Sequence, residues 1–460
     1  MATETNSTFQ RIKTGDEKGR NKDTTLQFRM NPTHVSYANT LRRLCVAHVP
    51  MVAFRADILE EDIVDETGRI VQAKGSTSDV QILENTTPMT NEMLAHRIGL
   101  LPIEADPVLW EEKNGKSAVF ELNVSNPNDQ VLDVTTDNFV MITKDTADKE
   151  KRESAATMFA KADPAYACLI ATLKPYVKSI QVDQEKVHVK ARATVGIGRE
   201  NARFIPVSRA TYSYTRIEPD VMNPAEMHEN AEVQKAYADW AGKKGANLES
   251  MKTATDEDSK KQEAALWNEF ITTPIQRYYL KDEVTGEPNS FDFVIESVMS
   301  ALNPKIIVQR ALKAGAELCK RYESGGPGWA GVKVQFADTR FYAFDFYFQK
   351  EDHTLGNLVQ TYIEQNLMDV EEKGITFVGY DIPHPLRDEM VIRLGLAKDT
   401  SEEAARGVIE EAMTACKQMF EALLVEWNGV SGGPVSAPAP VTQTSGIKPK
   451  RVIKRPGPTA

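Results

Sequence analysis

A chain of 460 residues, 41% hydrophobic and 26% charged, is long enough for several domains and at least one well-buried core. Its formal net charge of −11 excludes a protein that grips nucleic acid over its whole surface. No apolar run approaches the roughly 20 residues needed to cross a bilayer, and Met1 to Asp23 has no apolar signal stretch, so an intracellular protein without membrane contact is expected. Cys45, Cys168, Cys319 and Cys416 are far apart and form no CxxC pair. That argues against a disulfide framework or a thiolate metal site, and three of the four sit among apolar residues at helical spacing and read as buried core thiols.

In chain order, residues 1–25 read as a disordered N-terminus. Thr25 to Met30 is a predicted strand, and Asn31-Pro32 reads as the N-cap and first position of a helix. Val35, Ala38, Leu41, Leu44, Cys45 and Val49 follow at helical spacing until Pro50, and strand character resumes from Val52 to Leu59. Thr90 caps a second predicted helix ending at Gly99. From Ser117 to Tyr214 short alternating strands dominate, among them Val119 to Val124, Phe139 to Thr143 and Val187 to Val195, with a helical interlude at Ala155 to Lys161. Glu218 to Gln262, rich in Ala, Glu and Lys, reads as surface helices added to a core rather than part of one.

Phe291 to Glu296 is a strand, and Asn303-Pro304 opens a helix with Ile307, Ala311, Leu312, Leu318, Cys319 and Tyr322 on its apolar stripe. Ser324 to Gly331, with four glycines and a proline, reads as a linker. The same order of elements then recurs. Phe341 to Phe348 is a strand, and Asp352 caps a helix with Leu355, Leu358, Val359, Tyr362 and Ile363 inward. Two strands follow at Ile375 to Tyr380 and Met390 to Leu394. Ser401 caps a last helix whose stripe holds Val408, Ala412, Cys416, Phe420 and Trp427. From Gly429 the chain is Pro-, Ser- and Gly-rich and reads as a disordered basic tail.

The expected fold is therefore α+β, with a strand-helix-strand-strand-helix unit present twice. The first copy spans 26–59 and 290–323 and is interrupted by a β-rich inserted domain, 60–289, with its extra helical segment near 218–275. The second copy spans 332–428, after the linker at 324–331 and before the tail at 429–460. Each copy has a helix stripe wider than it can bury alone, so pairing of the two copies is the expected solution. Leu41, Leu44, Leu312, Leu355, Leu358 and Phe420 are the candidate core of that pairing.

Longer motifs carry a family resemblance. Asn39-Thr40-Leu41-Arg42-Arg43-Leu44, followed by His48-Val49-Pro50, resembles the larger α-like component of multisubunit RNA polymerases: bacterial α, the archaeal D-type chain and the third-largest subunit of eukaryotic polymerase II. Ala95 to Ile103 (AHRIGLLPI) and Gly196 to Phe204 (GIGRENARF) resemble two further segments of its archaeal and eukaryotic members. Lys350 to Leu358 (KEDHTLGNL) and Gly379 to Leu386 (GYDIPHPL) resemble the smaller partner, the archaeal L-type chain or the eleventh eukaryotic subunit. The resemblance implies a non-catalytic scaffold with no cofactor of its own. It implies as partners the two large catalytic subunits and a small zinc-binding adaptor-type subunit, with no direct sequence-specific nucleic-acid binding. Both components in one chain is similar to polymerases of some large DNA viruses, which would imply a virion and infected-cell location, in cytoplasm or nucleus. Several relatives carry a cysteine cluster for zinc or iron–sulfur in the inserted domain, whereas here that domain has only Cys168.

Arg42 and Arg43 lie mid-helix beside the apolar stripe, where spacing alone suggests a solvated face. Placed in the family motif, they and Asn39 become candidate contacts to a large subunit, because guanidinium groups make bidentate bonds to carboxylates. His353 and His384 lack a third ligand at suitable spacing, so no metal site is expected, and capping by Asp352 with a stiff Pro383-His384-Pro385 turn is the structural reading. Gly196-Ile197-Gly198 is not followed by a phosphate-binding helix pattern and reads as a glycine-permitted turn. No catalytic nucleophile–base pair or magnesium-binding Asp cluster is evident. The rival readings are a free-standing nucleic-acid-binding protein working through the basic tail, and a hydrolase within the insertion.

Overall fold

The computed structural model describes residues 7–15, 24–57, 63–64, 70–72, 79–113, 118–144, 149–159, 166–178, 183–217, 230–246, 248, 257–272, 274–338, 341–398 and 400–432. The fold is α+β. Two four-stranded antiparallel sheets share one connectivity. The first runs β1–β2–β15–β14, from β1 (Phe9–Thr14), β2 (Thr25–Met30), β14 (Val207–Tyr214) and β15 (Phe291–Ser297). The second runs β16–β17–β19–β18, from β16 (Lys333–Asp338), β17 (Tyr342–Gln349), β18 (Ile375–Asp381) and β19 (Glu389–Leu396). Helices α1 (Val35–Ala47) and α6 (Pro304–Lys320) follow β2 and β15. In the second sheet α7 (His353–Asn366) and α8 (Glu402–Ser431) follow the corresponding strands, β17 and β19.

Period-two alternation selects the buried side of each sheet. Phe28 and Phe293 stack at 4.8 Å on the inner face of the first, and Phe346 pairs with Ile392 on that of the second. On the outer faces, Arg29 of β2 bonds its cross-strand neighbour Asp292 at 2.7 Å, and Asp345 of β17 bonds its neighbour Arg393 at 2.6 Å. Each unit thus carries one Arg–Asp pair across its two central strands, with the charges exchanged between the strands. Helices α1, α6, α7 and α8 all contribute to one continuous hydrophobic core shared by both sheets.

Several elements differ from the sequence expectations. The N-terminal 1–25 is not wholly without structure: β1 is an edge strand pairing with β2, held by Phe9, whose ring lies 4.9 Å from Trp427. One buried aromatic in a polar stretch leaves no periodic signal. Asn31-Pro32 does not start α1. His34 is the N-cap, its ring nitrogen accepting from the Ser36 amide. The inserted segment is also shorter than 60–289, because β14 belongs to the first four-stranded sheet and pairs with β15 along its length. The segment 324–331 is not a free linker: its Pro327–Gly331 part forms a 3-10 turn, with Trp329 buried against Tyr322 and Phe348. The tail beyond Gly432 lies outside the described residues.

Within the insertion a five-stranded sheet runs β10–β9–β7–β12–β6, from β6 (Val80–Asn85), β7 (Val119–Ser125), β9 (Phe139–Lys144), β10 (Glu150–Ser154) and β12 (Lys186–Ala191). Beside it are the pairs β8 (Leu132–Thr135) with β11 (Leu169–Leu173), and β4 (Ile63–Val64) with β5 (Ile70–Gln72), and the helices α2 (Asn91–Gly99) and α3 (Pro107–Lys113). The single strand read at Val187 to Val195 breaks at Arg192. Its second half is β13 (Ala193–Ile197), which leaves the sheet to pair with β3 (Pro50–Phe54). Strand β3 joins the two cores: Met51 and Ala53 face the first, and Val52 and Phe54 face the second. Of the interlude at 155–161, Ala156–Met158 is a 3-10 turn and Phe159 is in an extended bridge with Ile103, while 160–161 lie outside the described residues. Finally, α4 (Ala231–Lys243) and α5 (Glu257–Thr272) do not merely cover a core. They enclose their own, around Tyr237, Trp267 and Phe270.

Candidate functional site: the junction between the two units

Helix α1 bears the Asn39 to Leu44 motif, and its apolar stripe fixes which side chains reach the second unit. Leu41, Leu44, Leu312, Leu355, Leu358 and Phe420 all lie buried in the shared core. Gly315 of α6 marks the closest approach. A Cβ there would stand 2.9 Å from Leu44 Cδ1 and 3.0 Å from Phe420, so any side chain would have to push these two apart where α1, α6 and α8 converge.

Polar bonds line the same contact. Ser36 and Thr361 hydroxyls bond at 2.9 Å in the core, and Tyr37 donates to Gln365 at 3.3 Å, tying α1 to α7. Between α6 and α8, the Trp427 indole donates to the Lys305 carbonyl at 3.1 Å, and Gln309 donates to Asn428 at 2.8 Å. Lys417 pairs with Glu323. Trp427 also reaches Phe28 at 5.2 Å, so the last helix of the second unit is plugged into the sheet of the first.

The three sequence candidates at the surface separate. Arg43 turns to the second unit: its Nε donates to Thr354 Oγ1 at 2.8 Å and its guanidinium pairs with Asp352 at 3.3 Å. Asp352 meanwhile accepts from the Thr354 amide at 2.7 Å as the N-cap of α7. Arg42 donates to Asn39 at 3.1 Å, and no carboxylate pairs with it among the described residues.

Sequence reasoning missed the group beside them. Glu351, 3% exposed, accepts from the Tyr322 hydroxyl at 2.9 Å and faces Arg321 at 3.3 Å and Arg199 at 3.6 Å. Burial pushes its carboxyl above the usual range, against the pull of the two arginines and the tyrosine. His48, at the end of α1, is pushed down to about 4 by burial, and its Nε2 has no partner among the described residues. Arg199 and Arg203 both lie in the Gly196 to Phe204 segment. Arg203 donates to the Phe54 carbonyl at 3.0 Å and pairs with Asp57, tying the insertion to β3. The glycines of that segment serve close approach rather than turn freedom: a Cβ on Gly198 would lie 2.2 Å from the Val46 carbonyl at the end of α1. The family resemblance singled the segment out, but only the packing assigns these contacts.

Arg43 with Asp352, and Arg199 and Arg321 with Glu351, are pairs that reach into the second unit. Among the described residues no group of three or more His, Cys, Asp or Glu side chains is placed to hold a metal. His384 accepts from the Leu386 amide in its turn, and His353 packs against Tyr380.

Two family models match the chain. Both are described as the RNA polymerase Rpb3/Rpb11 dimerisation domain, one over residues 27–319 and the other over 343–426. Among curated proteins, the DNA-directed RNA polymerases I and III subunit RPAC1 of Homo sapiens is 23% identical over 321 residues, covering 65% of this chain and 81% of its own. The RPAC1 of Saccharomyces cerevisiae is 26% identical over 313 residues, covering 62% and 80%. The RNA polymerase subunit Rpo3 of Methanosphaera stadtmanae is 25% identical over 205 residues, covering 43% and 60%.

Proposed function

The chain belongs to the RNA polymerase Rpb3/Rpb11 dimerisation family, and from that premise we propose that it is the assembly platform of a multisubunit DNA-directed RNA polymerase, with both halves of the D/L-type pair in one polypeptide. It contributes structure and no catalysis. The observation that carries the reading is the occurrence of two family matches in one chain, over residues 27–319 and 343–426. The shared connectivity of the two sheets, the exchanged Arg–Asp pairs and the crossing of α6 with α8 support an intramolecular pseudo-heterodimer. Residues 324–331 join the halves and raise their effective concentration, while the buried helices supply the contact.

Docking of the two large catalytic subunits and of a small zinc-binding adaptor-type subunit is assigned to the outward side of this pair. Arg42, with Asn39 as its acceptor, is the docking residue on α1, because Arg43 is already engaged with Asp352. No cofactor or metal is required by this role, and it places the protein inside the cell with its polymerase.

The test is recovery of the large subunits by tagged chain from its native source. Arg42→Ala is expected to lose them while its circular dichroism stays unchanged, since a truncated interfacial charge costs about 2–5 kcal/mol and alanine favours helix. Normal recovery by the folded variant would refute the docking role.

A further inference from the structure

The small core of α4 and α5 carries a pocket that the platform role leaves unused. Its volume is about 430 Å³, and Trp240, Lys243, Arg277, Tyr278, Tyr279 and Lys281 line it together with Pro274 and one carboxylate, Asp239. Asp239 accepts from Lys243 at 2.7 Å and from the Tyr278 hydroxyl at 3.2 Å. Arg277 and Lys281 are exposed, and neither has a carboxylate within ion-pair distance among the described residues. The Lys281 ammonium instead lies 4.8 Å over the Tyr279 ring.

The aromatic surface continues out of the pocket. Tyr214, 43% exposed at the end of β14, lies 5.0 Å from Tyr279, and Arg216 bridges to Tyr279 along the backbone, also without a carboxylate partner among the described residues. The result is a short run of rings, Trp240, Tyr279 and Tyr214, beside the cations Arg277, Lys281 and Arg216, with Asp239 the carboxylate that Lys281 acts on, on a chain whose formal net charge is −11. Flat rings supply stacking to any base and cations supply phosphate contacts, and the combination recurs where single strands are bound without sequence preference.

We infer that this pocket binds the nucleotide units of single-stranded nucleic acid, with bases against Trp240, Tyr279 and Tyr214 and phosphates against Arg277, Lys281 and Arg216. The site lies outside both helix contacts of the pseudo-heterodimer, so it does not rest on the platform reading.

The experiment is fluorescence anisotropy of the full chain with a labelled 12-nucleotide single-stranded RNA, over a series of salt concentrations. AMP as competitor separates a single-nucleotide pocket from a strand track. Either a nucleotide or a strand displaced from the pocket supports the proposal. The double variant Arg277→Gln with Lys281→Gln should weaken binding about tenfold and flatten the log–log salt slope by about 1.4, at roughly 0.7 for each lost phosphate contact. A second variant, with Lys448, Lys450, Arg451, Lys454 and Arg455 all changed to Gln, separates the pocket from the basic tail. Binding that follows the tail variant and ignores the pocket variant overturns the proposal, as does absence of binding by the wild-type chain in low salt. Because pocket variants could disturb the small core, 4-thiouridine RNA is also photocrosslinked to the wild-type chain and mapped. Adducts at Trp240, Tyr278 or Tyr279 are expected, and adducts confined to other segments overturn it.

Discussion

Arg43 is a half-buried point at which α1 meets the second unit, so its removal tests the pairing directly. Arg43→Ala deletes two charge-bearing hydrogen bonds, to Thr354 at 2.8 Å and Asp352 at 3.3 Å. Buried, such bonds would contribute about 1.5–3 kcal/mol each. The Arg43 and Asp352 side chains keep 31% and 26% of their surface, so solvent screens the pair and a coupling of about 1 kcal/mol is expected. Asp352→Ala should cost more than Arg43→Ala, because it also removes the N-cap of α7, a loss of about 1 kcal/mol. The assay is a double-mutant cycle in urea, repeated as the affinity of the two halves after cleavage at a protease site placed between Ser324 and Gly325, an exposed turn. A coupling of about 1 kcal/mol weakens the halves about fivefold. If the cycle gives less than about 0.3 kcal/mol, or Arg43→Ala loses the large subunits while the cleaved halves keep full affinity, Arg43 is a docking residue and the assignment is wrong.

Other perturbations probe the same architecture. Trp427→Ala empties a site between α6 and the first sheet and should cost about 3–5 kcal/mol in chemical denaturation. Gly315→Val should cost about 1–3 kcal/mol by forcing Leu44 and Phe420 apart, seen as a lower melting temperature. His48 is held neutral in the fold, its pKa lowered to about 4 against an ordinary 6.5, so the unfolded chain binds the extra proton. Stability should therefore fall as pH drops from about 6.5 towards 4, and His48→Gln should flatten that slope in pH-dependent denaturation. The insertion is expected to be held by packing around Phe54, Phe120 and Phe139, so elemental analysis should find no stoichiometric zinc or iron, and a chelator should leave its melting unchanged.

By itself the sequence determined where four helices begin. Thr90, Asn303, Asp352 and Ser401 cap the helices that their spacing announced, because capping needs only a side chain and an amide two or three residues away. The apolar stripes likewise named the buried faces, since a period of 3.6 records which side meets a core. What the spacing could not supply was the partner of each face. Edge strand β1, the transfer of β14 to the first sheet and the burial of Trp329 all depend on contacts made in three dimensions or on a single aromatic. Arg42 and Arg43 are adjacent and of one type, yet about 100° of helical rotation turns one towards Asp352 and leaves the other at Asn39. That division of roles depends on where α7 docks, which only the tertiary packing decides.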